Sequence, residues 1–414
     1  MRKVLSIRQQ AELFDNALRQ RLDDLLPALM ERQQISMWIV MNREYNEDPV
    51  YLSMVPAMAR YARRLSCLIF HRSAPGRVDR YCLGNDRDFK GMYTVIPWAP
   101  PQDRMELLRE TIQRLNPDNI ALDYCAENQF ADGLSKGIYD LFAAAMTPEI
   151  MAKVISAEHI VTDWLQTRTR QELTRYRAVN QLAREIIEEA FSRKVITPGV
   201  TTTTDVEWFF MEAVSEQGLE CWFTPTVDLQ RKGCPGGRIR DEIILPGDLL
   251  HCDFGLKYLG LCTDTQRIFY VPRPGETQPP DYLQKAFAKT LRFMDIVAEN
   301  CAAGRTGDQI LTAAVAQAEG EGLRPHLYTH PIGVHGHAAG PTIGLYYKPG
   351  PVGGMGSYPL YPNTCYALEL NTKVSVPQWE DEELWVMREE TVCFRQDGRL
   401  EYLMEGRDIF GIVK

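Results

Sequence analysis

Apolar residues recur at helical spacing over residues 8 to 33, then give way to a continuous β-branched and aromatic run, Ser36-Met37-Trp38-Ile39-Val40-Met41. The first pattern predicts an amphipathic helix and the second a buried strand. Two further strand-like runs, Leu65 to Phe70 and Val78 to Leu83, precede a helical stretch near 102–115 and a strand at Ile120-Ala121-Leu122-Asp123. This alternation describes an α/β domain over residues 1–155. Past the charged stretch Arg168-Thr169-Arg170, Leu173, Tyr176, Val179, Leu182, Ile186 and Ala190 fall three or four apart, the stripe of one long helix. Residues 156–414 read as a second, α+β domain, with helices near 204–217, 281–301 and 306–320 and strand hairpins between them.

Composition narrows the function classes. The 414 residues include 46 Lys+Arg and 55 Asp+Glu, giving a net charge of −9, with 45% hydrophobic and 24% charged positions. That is ordinary for a globular protein, and the acidic balance argues against nucleic acid as a partner. Ten scattered cysteines without a C-x-x-C pair read as reduced thiols. Met1-Arg2-Lys3-Val4-Leu5-Ser6 runs straight into polar sequence, and no run approaches the roughly 18 apolar residues of a membrane span. A cytoplasmic protein without a membrane partner is expected.

Candidate chemistry gathers in the second half. Four of the seven histidines, His326, His330, His335 and His337, fall within twelve residues, beside Gly333, Gly336 and Gly340. So dense a cluster is a candidate site, and the glycines let backbone approach a ligand closely. Upstream, Pro246 to Gly255 and Thr263 to Val271 read as strands joined by a tight turn between Lys257 and Gly260. A turn centred on Tyr258 and Leu259 sets Asp253 directly opposite Asp264. Like charges so placed repel unless a cation lies between them, one is protonated, or both face solvent. Glu369 and Glu389 are further carboxylates in strand-like apolar runs, and if buried they need partners.

In that order, Asp253, Asp264, His330, Glu369 and Glu389 resemble the metal-ligand series of the pita-bread metallohydrolase superfamily: methionine aminopeptidase, Xaa-Pro aminopeptidase, prolidase and creatinase. The aspartates stand eleven residues apart in a D-x-G…T-D-x-x-R context. His337 follows His330 by seven positions and His326 precedes it by four, an arrangement similar to that of Xaa-Pro aminopeptidases. Glu389-Glu390-Thr391-Val392 is similar to the family's closing E-D-T-V segment. The resemblance spans about 160 to 405 and implies a pita-bread catalytic domain behind a creatinase-like N-terminal domain. It also implies two divalent ions, manganese preferred with iron, cobalt or zinc as options. Asp253 would hold one, His330 and Glu369 the other, and Asp264 and Glu389 would bridge. Water activated between the ions would cleave a short peptide or amide, Glu369 would pass a proton to the leaving group, and His337 with His326 would stabilise the oxyanion. A homodimer is implied as well. The same fold carries a creatine amidinohydrolase, an ectoine hydrolase, a dimethylsulfoniopropionate lyase and metal-free binding modules, so fold does not fix the substrate.

Three features depart from that pattern or extend it. Relatives usually carry a further histidine about 17 or 18 residues before the first aspartate; 17 before it stands Gly236, and Trp222 to Arg240 contains no histidine. The loop's Arg231, Lys232, Arg238 and Arg240 read either as a solvated surface or as a receiver for a substrate carboxylate, with Arg238 the candidate contact. Met387 stands where many relatives place an arginine, and Arg388, one place later, should face the other side of its strand. Gly340 to Pro362 is expected to be a long loop walling the site, with Tyr346 touching substrate.

Overall fold

The structure, a computed structural model, describes residues 4–84, 89, 91–234 and 237–414, so Met1-Arg2-Lys3 and Gly236 lie outside the described residues. Two compact units divide the chain, Leu5–Leu165 and Gln166–Lys414.

The first unit opens with α1 (Ile7–Gln20), a π-helical turn Arg21–Leu25, and α2 (Leu26–Arg32). Ser6 and Gln9 close a reciprocal capping box at its start. There follow β1 (Met37–Asn42), β2 (Ser66–Ala74), β3 (Arg77–Leu83), β4 (Thr94–Ile96), α3 (Arg104–Leu115), β5 (Ile120–Leu122), α4 (Lys136–Ala145), α5 (Pro148–Met151), β6 (Val154–Ser156) and α6 (Glu158–Gln166). The strands form one sheet of order β4-β3-β2-β1-β5-β6. Central β1 is buried at every position, which is why it reads as an unbroken apolar run. The unit ends about ten residues later than the sequence pattern placed it, because β6 completes the sheet edge by pairing with β5 and α6 belongs with it.

In the second unit the expected long helix is α7 (Arg170–Ala190), which buries Leu173, Tyr176, Val179 and Ile186 along one stripe. After it come α8 (Thr203–Glu216), β7 (Glu220–Cys221), β8 (Thr226–Gln230), β9 (Leu249–Phe254), β10 (Leu256–Tyr258), β11 (Leu261–Cys262), β12 (Thr265–Tyr270), α9 (Asp281–Asn300) and α10 (Gly307–Gly320). The unit ends with β13 (Pro325–Leu327), β14 (His330–Pro331), β15 (Thr364–Val376), β16 (Glu382–Phe394), β17 (Leu400–Tyr402) and β18 (Gly411–Ile412). One sheet runs β18-β12-β9-β8 and another β13-β15-β16-β17, with β14 also on β15. Strand β12 packs against β16. Helices α9 and α10 bury Phe293, Val297, Ile310 and Ala314 with Tyr366, Leu368 and Leu370 of β15. Strand alternation therefore turns Ala367, Glu369 and Asn371 to the opposite face.

The hairpin register differs from the expected one. Tyr258 pairs with Leu261 and Asp253 with Gln266, so the turn centres on Leu259 and Gly260. Both have positive φ, 52° and 74°. Tight two-residue turns of this hand require positive φ at both centres, and Gly260 adopts it at no steric cost. Asp264 consequently falls in the break between β11 and β12 instead of opposite Asp253.

Candidate metal site

Strand geometry brings the five carboxylate and imidazole candidates together despite that shift. Glu369 of β15 pairs directly with Glu389 of β16. His330 of β14 pairs with Ala367, two residues before Glu369 and on the same face. His330 Nε2 lies 3.5 Å from Asp264 Oδ2, 3.7 Å from Glu389 Oε1 and 4.0 Å from Glu369 Oε2. Ligand-type atoms form three overlapping groups, each within 4.8 Å: Asp253, Asp264 and Glu389; His330, Glu369 and Glu389; Asp264, His330 and His337.

Electrostatics and unmet hydrogen bonds show what this arrangement fits. Burial, then the charge of Asp264, pushes Asp253 and Glu389 well above the usual carboxylate range; burial, then Asp253, does the same to Glu369. Buried like charges are costly without a cation. Asp253 Oδ1, Asp264 Oδ1, both Glu389 oxygens and His330 Nε2 are buried without a hydrogen-bond partner. His330 Nδ1 lies 2.9 Å from the Pro331 carbonyl oxygen, to which it donates, leaving the Nε2 lone pair aimed at the carboxylates. Four carboxylates and one imidazole suit divalent ions such as Mn²⁺, Fe²⁺, Co²⁺ or Zn²⁺, and the residues present fit that group.

Other candidates stand around this centre. His337 is accessible, its ring edge-on to His330 at 4.6 Å and to Trp222 at 5.3 Å. Partial desolvation, then the charge of His330, holds it below the ordinary histidine value. His326 belongs to none of the three groups: its ring packs 4.8 Å from Tyr328 and 5.3 Å from Tyr346. Tyr346 arrives on the long loop, which Asp308 pins by accepting from the Val352 and Gly353 amides at 2.6 and 3.0 Å.

The basic loop is less cationic than its sequence. Arg231 pairs with Asp248 at 2.7 Å, Lys232 with Glu380 at 3.8 Å and Arg238 with Asp228 at 2.9 Å. Arg238 still favours ionisation of both Asp253 and Glu369. Arg388 lies on the face of β16 opposite Glu389, as its position requires. There it meets Glu390 at 3.1 Å, and Arg267 grips the same carboxylate at 2.5 and 2.9 Å. Burial pushes Arg388 down to about 9.

Two features escape the sequence reading. Trp222 lies flat against Gly336, where any Cβ would come within 2.4 Å of the indole, and its Nε1 donates to the Thr263 carbonyl at 2.7 Å. A line of buried polar groups also runs from Asp228 through His251 and Gln266 to Glu369. Burial pushes Asp228 up, but His251 and Arg238 outweigh it and the net shift is downward. The available signal was position: His251 stands two before Asp253 and so shares its face of β9.

Comparison with known proteins agrees with this geometry. The model of metallopeptidase family M24 matches residues 174–396. A Mycoplasma genitalium protein provisionally named an Xaa-Pro aminopeptidase is 27% identical over 193 residues, 42% of this chain and 54% of that protein, so the match spans about half of that relative. Among solved structures, an X-Pro aminopeptidase from Thermotoga maritima superposes with a TM-score of 0.66 at 17% identity, covering 92% of this chain and 99% of that one. An Xaa-Pro dipeptidase from Bacillus anthracis gives 0.61 at 17% identity, covering 99% and 100%. At such identities these two likenesses are of fold.

Proposed function

The chain belongs to metallopeptidase family M24, and from that membership we propose a dinuclear metal-dependent hydrolase, Xaa-Pro aminopeptidase-like or dipeptidase-like, that cleaves a short peptide or amide. The observation that carries this reading is the convergence of Asp253, Asp264, His330, Glu369 and Glu389, with buried, unpartnered ligand atoms on all of them except Glu369. Asp253 would hold one ion, His330 and Glu369 the other, and Asp264 and Glu389 both, with manganese preferred for so oxygen-rich a set. The chemistry that bound divalent ions supply is polarisation of the scissile carbonyl and a lowered pKa for water. Glu369 holds the proton removed from the attacking water and returns it to the leaving amine. His337 donates its ring N–H to the developing oxyanion. Trp222, Tyr346 and His326 bound the substrate, and Arg238 receives its carboxylate. All ten cysteines are free, and no helix among the described residues is long and apolar enough to cross a membrane. The free thiols suit a reducing compartment, so the proposal includes a cytoplasmic location and, by family resemblance, a homodimer.

Elemental analysis of purified protein, followed by a panel of Xaa-Pro peptides, other dipeptides, creatine-like compounds and sulfonium acids, tests the proposal. Bound metal and fastest turnover of an Xaa-Pro peptide are expected. A second reading is a non-peptidase C–N hydrolase or lyase on the same fold; the absence of histidine from Trp222 to Arg240 departs from the peptidase pattern but by itself selects neither reading. Faster turnover of a small non-peptide substrate would select it. Metal-free protein without turnover would instead indicate a binding module.

A further inference from the structure

The reaction proposed above needs Glu369 in one orientation, and the structure holds a device for that purpose outside the candidate ligand set. Asp228 of β8 is paired in register with His251 of β9, and Gln266 of β12 lies diagonally across from His251 on the same face. His251 Nδ1 is 3.0 Å from Asp228 Oδ2, and its Nε2 is 3.0 Å from Gln266 Oε1. Gln266 Nε2 in turn donates to Glu369 Oε1. Asp228, His251 and Gln266 are all buried, and Asp228 is further anchored by Arg238 Nε at 2.9 Å.

A glutamine amide can present either its oxygen or its NH₂ to a neighbour, and the two differ by a simple flip. An oxygen turned toward Glu369 would repel a carboxylate, whereas the NH₂ holds it. His251 decides between them. His251 Nδ1 lies against Asp228 and the Gln266 oxygen is the end of the amide turned to its Nε2, which leaves the Gln266 NH₂ to face Glu369. Asp228 fixes the ring, and Arg238 fixes Asp228. Buried polar lines of this kind are costly relative to apolar packing, and this one ends on a candidate metal ligand.

We propose that His251 is a positioning residue: clamped by Asp228, it sets the Gln266 carboxamide so that Glu369 is held ready both to bind metal and to carry its proton. The proposal rests on the reading of Glu369 given above. Partners of this kind around a ligand are worth about 10- to 100-fold in metal affinity or activity.

The test is a calorimetric titration of metal-free full-length protein with Mn²⁺, for wild type, His251→Leu, Gln266→Leu, the double variant and His251→Gln. Each Leu variant should weaken one Mn²⁺-binding step by about 10- to 100-fold. The double variant should be no weaker than the worse single one, because both act through the same line. His251→Gln keeps an N–H for Gln266 and should recover most of the affinity. Unchanged affinity in both Leu variants, or losses that add, would overturn the proposal. If His251→Leu does not fold, Gln266→Leu against His251→Gln carries the test, and equal affinities in those two would overturn it. In Mn²⁺-saturated enzyme, kcat on an Xaa-Pro dipeptide should fall in both Leu variants while KM holds. A wild type that binds Mn²⁺ but cleaves no peptide would refute the peptidase reading alone, since the titration decides the positioning role separately.

Discussion

Glu369 and Glu389 stand directly opposite one another on paired antiparallel strands, and both carboxyls are pushed well above their usual range. Directly opposed like charges destabilise a sheet even at its surface, and here Glu389 is buried and Glu369 partly so, with Asp264 and His330 beside them. Strands β15 and β16 are paired along their full thirteen residues, so this repulsion cannot be relieved by sliding the register. A cation between the carboxylates resolves it, and the first two predictions separate the groups that would hold one from the group that would not.

Asp264 shares one ligand group with Asp253 and Glu389 and another with His330 and His337. Asp264→Ala should therefore lower metal content, read by elemental analysis, and abolish turnover. Full activity in a metal-free Asp264→Ala protein would sink the dinuclear mechanism.

His337 stands edge-on to His330, accessible and held toward its neutral form. His337→Ala should keep its metal and approximate KM while kcat falls by about 10²–10³-fold, the loss seen when an oxyanion donor is removed. Loss of metal would instead make His337 a ligand, a role its grouping with Asp264 and His330 also permits.

What the sequence revealed depended on how local the cause was. The α7 stripe from Leu173 to Ala190 and the unbroken β1 run are written in consecutive residues, and both are present. Glu369 and Glu389 stood out as charges inside apolar runs, His330 by its place among four clustered histidines, and the five as a set only through family resemblance. The hairpin register was not, since it turns on Leu259 accepting a left-handed backbone that bulky side chains rarely adopt. Asp228 was illegible as a partner of His251 because that pair exists only once β8 and β9 are in register. For the same reason, nothing local showed that Asp248 and Asp228 pair with Arg231 and Arg238.

A separate pH prediction concerns the first unit. Asp123 accepts from Trp38 Nε1 at 2.6 Å and Asp48 from the Val50 amide at 2.9 Å. Burial pushes Asp48 from 3.8 up to about 6, and burial with the charge of Asp48 pushes Asp123 well above its range. A carboxyl whose pKa is raised on folding stabilises the fold fully below its unfolded value and loses that contribution as pH rises through the folded one. For Asp48 the loss falls between 3.8 and about 6 and amounts to about 3 kcal/mol. Asp48→Asn stays uncharged and can donate to Asp123, so its Tm should exceed that of the wild type increasingly across this window. Parallel melting curves from about pH 4 to about pH 8 would show that Asp48 does not hold a proton in the fold.

The last prediction concerns specificity. Discrimination among substrates comes from pocket groups that only the right substrate satisfies. Of the loop's four cations, Arg231 and Lys232 are paired away with Asp248 and Glu380, and Arg240 is exposed. Arg238 differs from them. It donates to Asp228 Oδ2 through Nε, and its Nη2 lies 2.9 Å from the same oxygen. Its charge reaches Asp253 and Glu369, and its remaining N–H groups are available for a bidentate contact with a substrate carboxylate. A short substrate with a free carboxylate should therefore be preferred over its amidated counterpart. In kcat/KM for a free and an amidated Xaa-Pro dipeptide, Arg238→Ala should remove most of the preference, whereas Arg231→Ala, which breaks the contacts to Asp248 and to the Ile243 carbonyl, should leave it intact. Equal rates on both substrates in the wild type, unchanged in Arg238→Ala, would reduce the loop to a solvated surface and move the source of specificity to the aromatic wall of Trp222 and Tyr346.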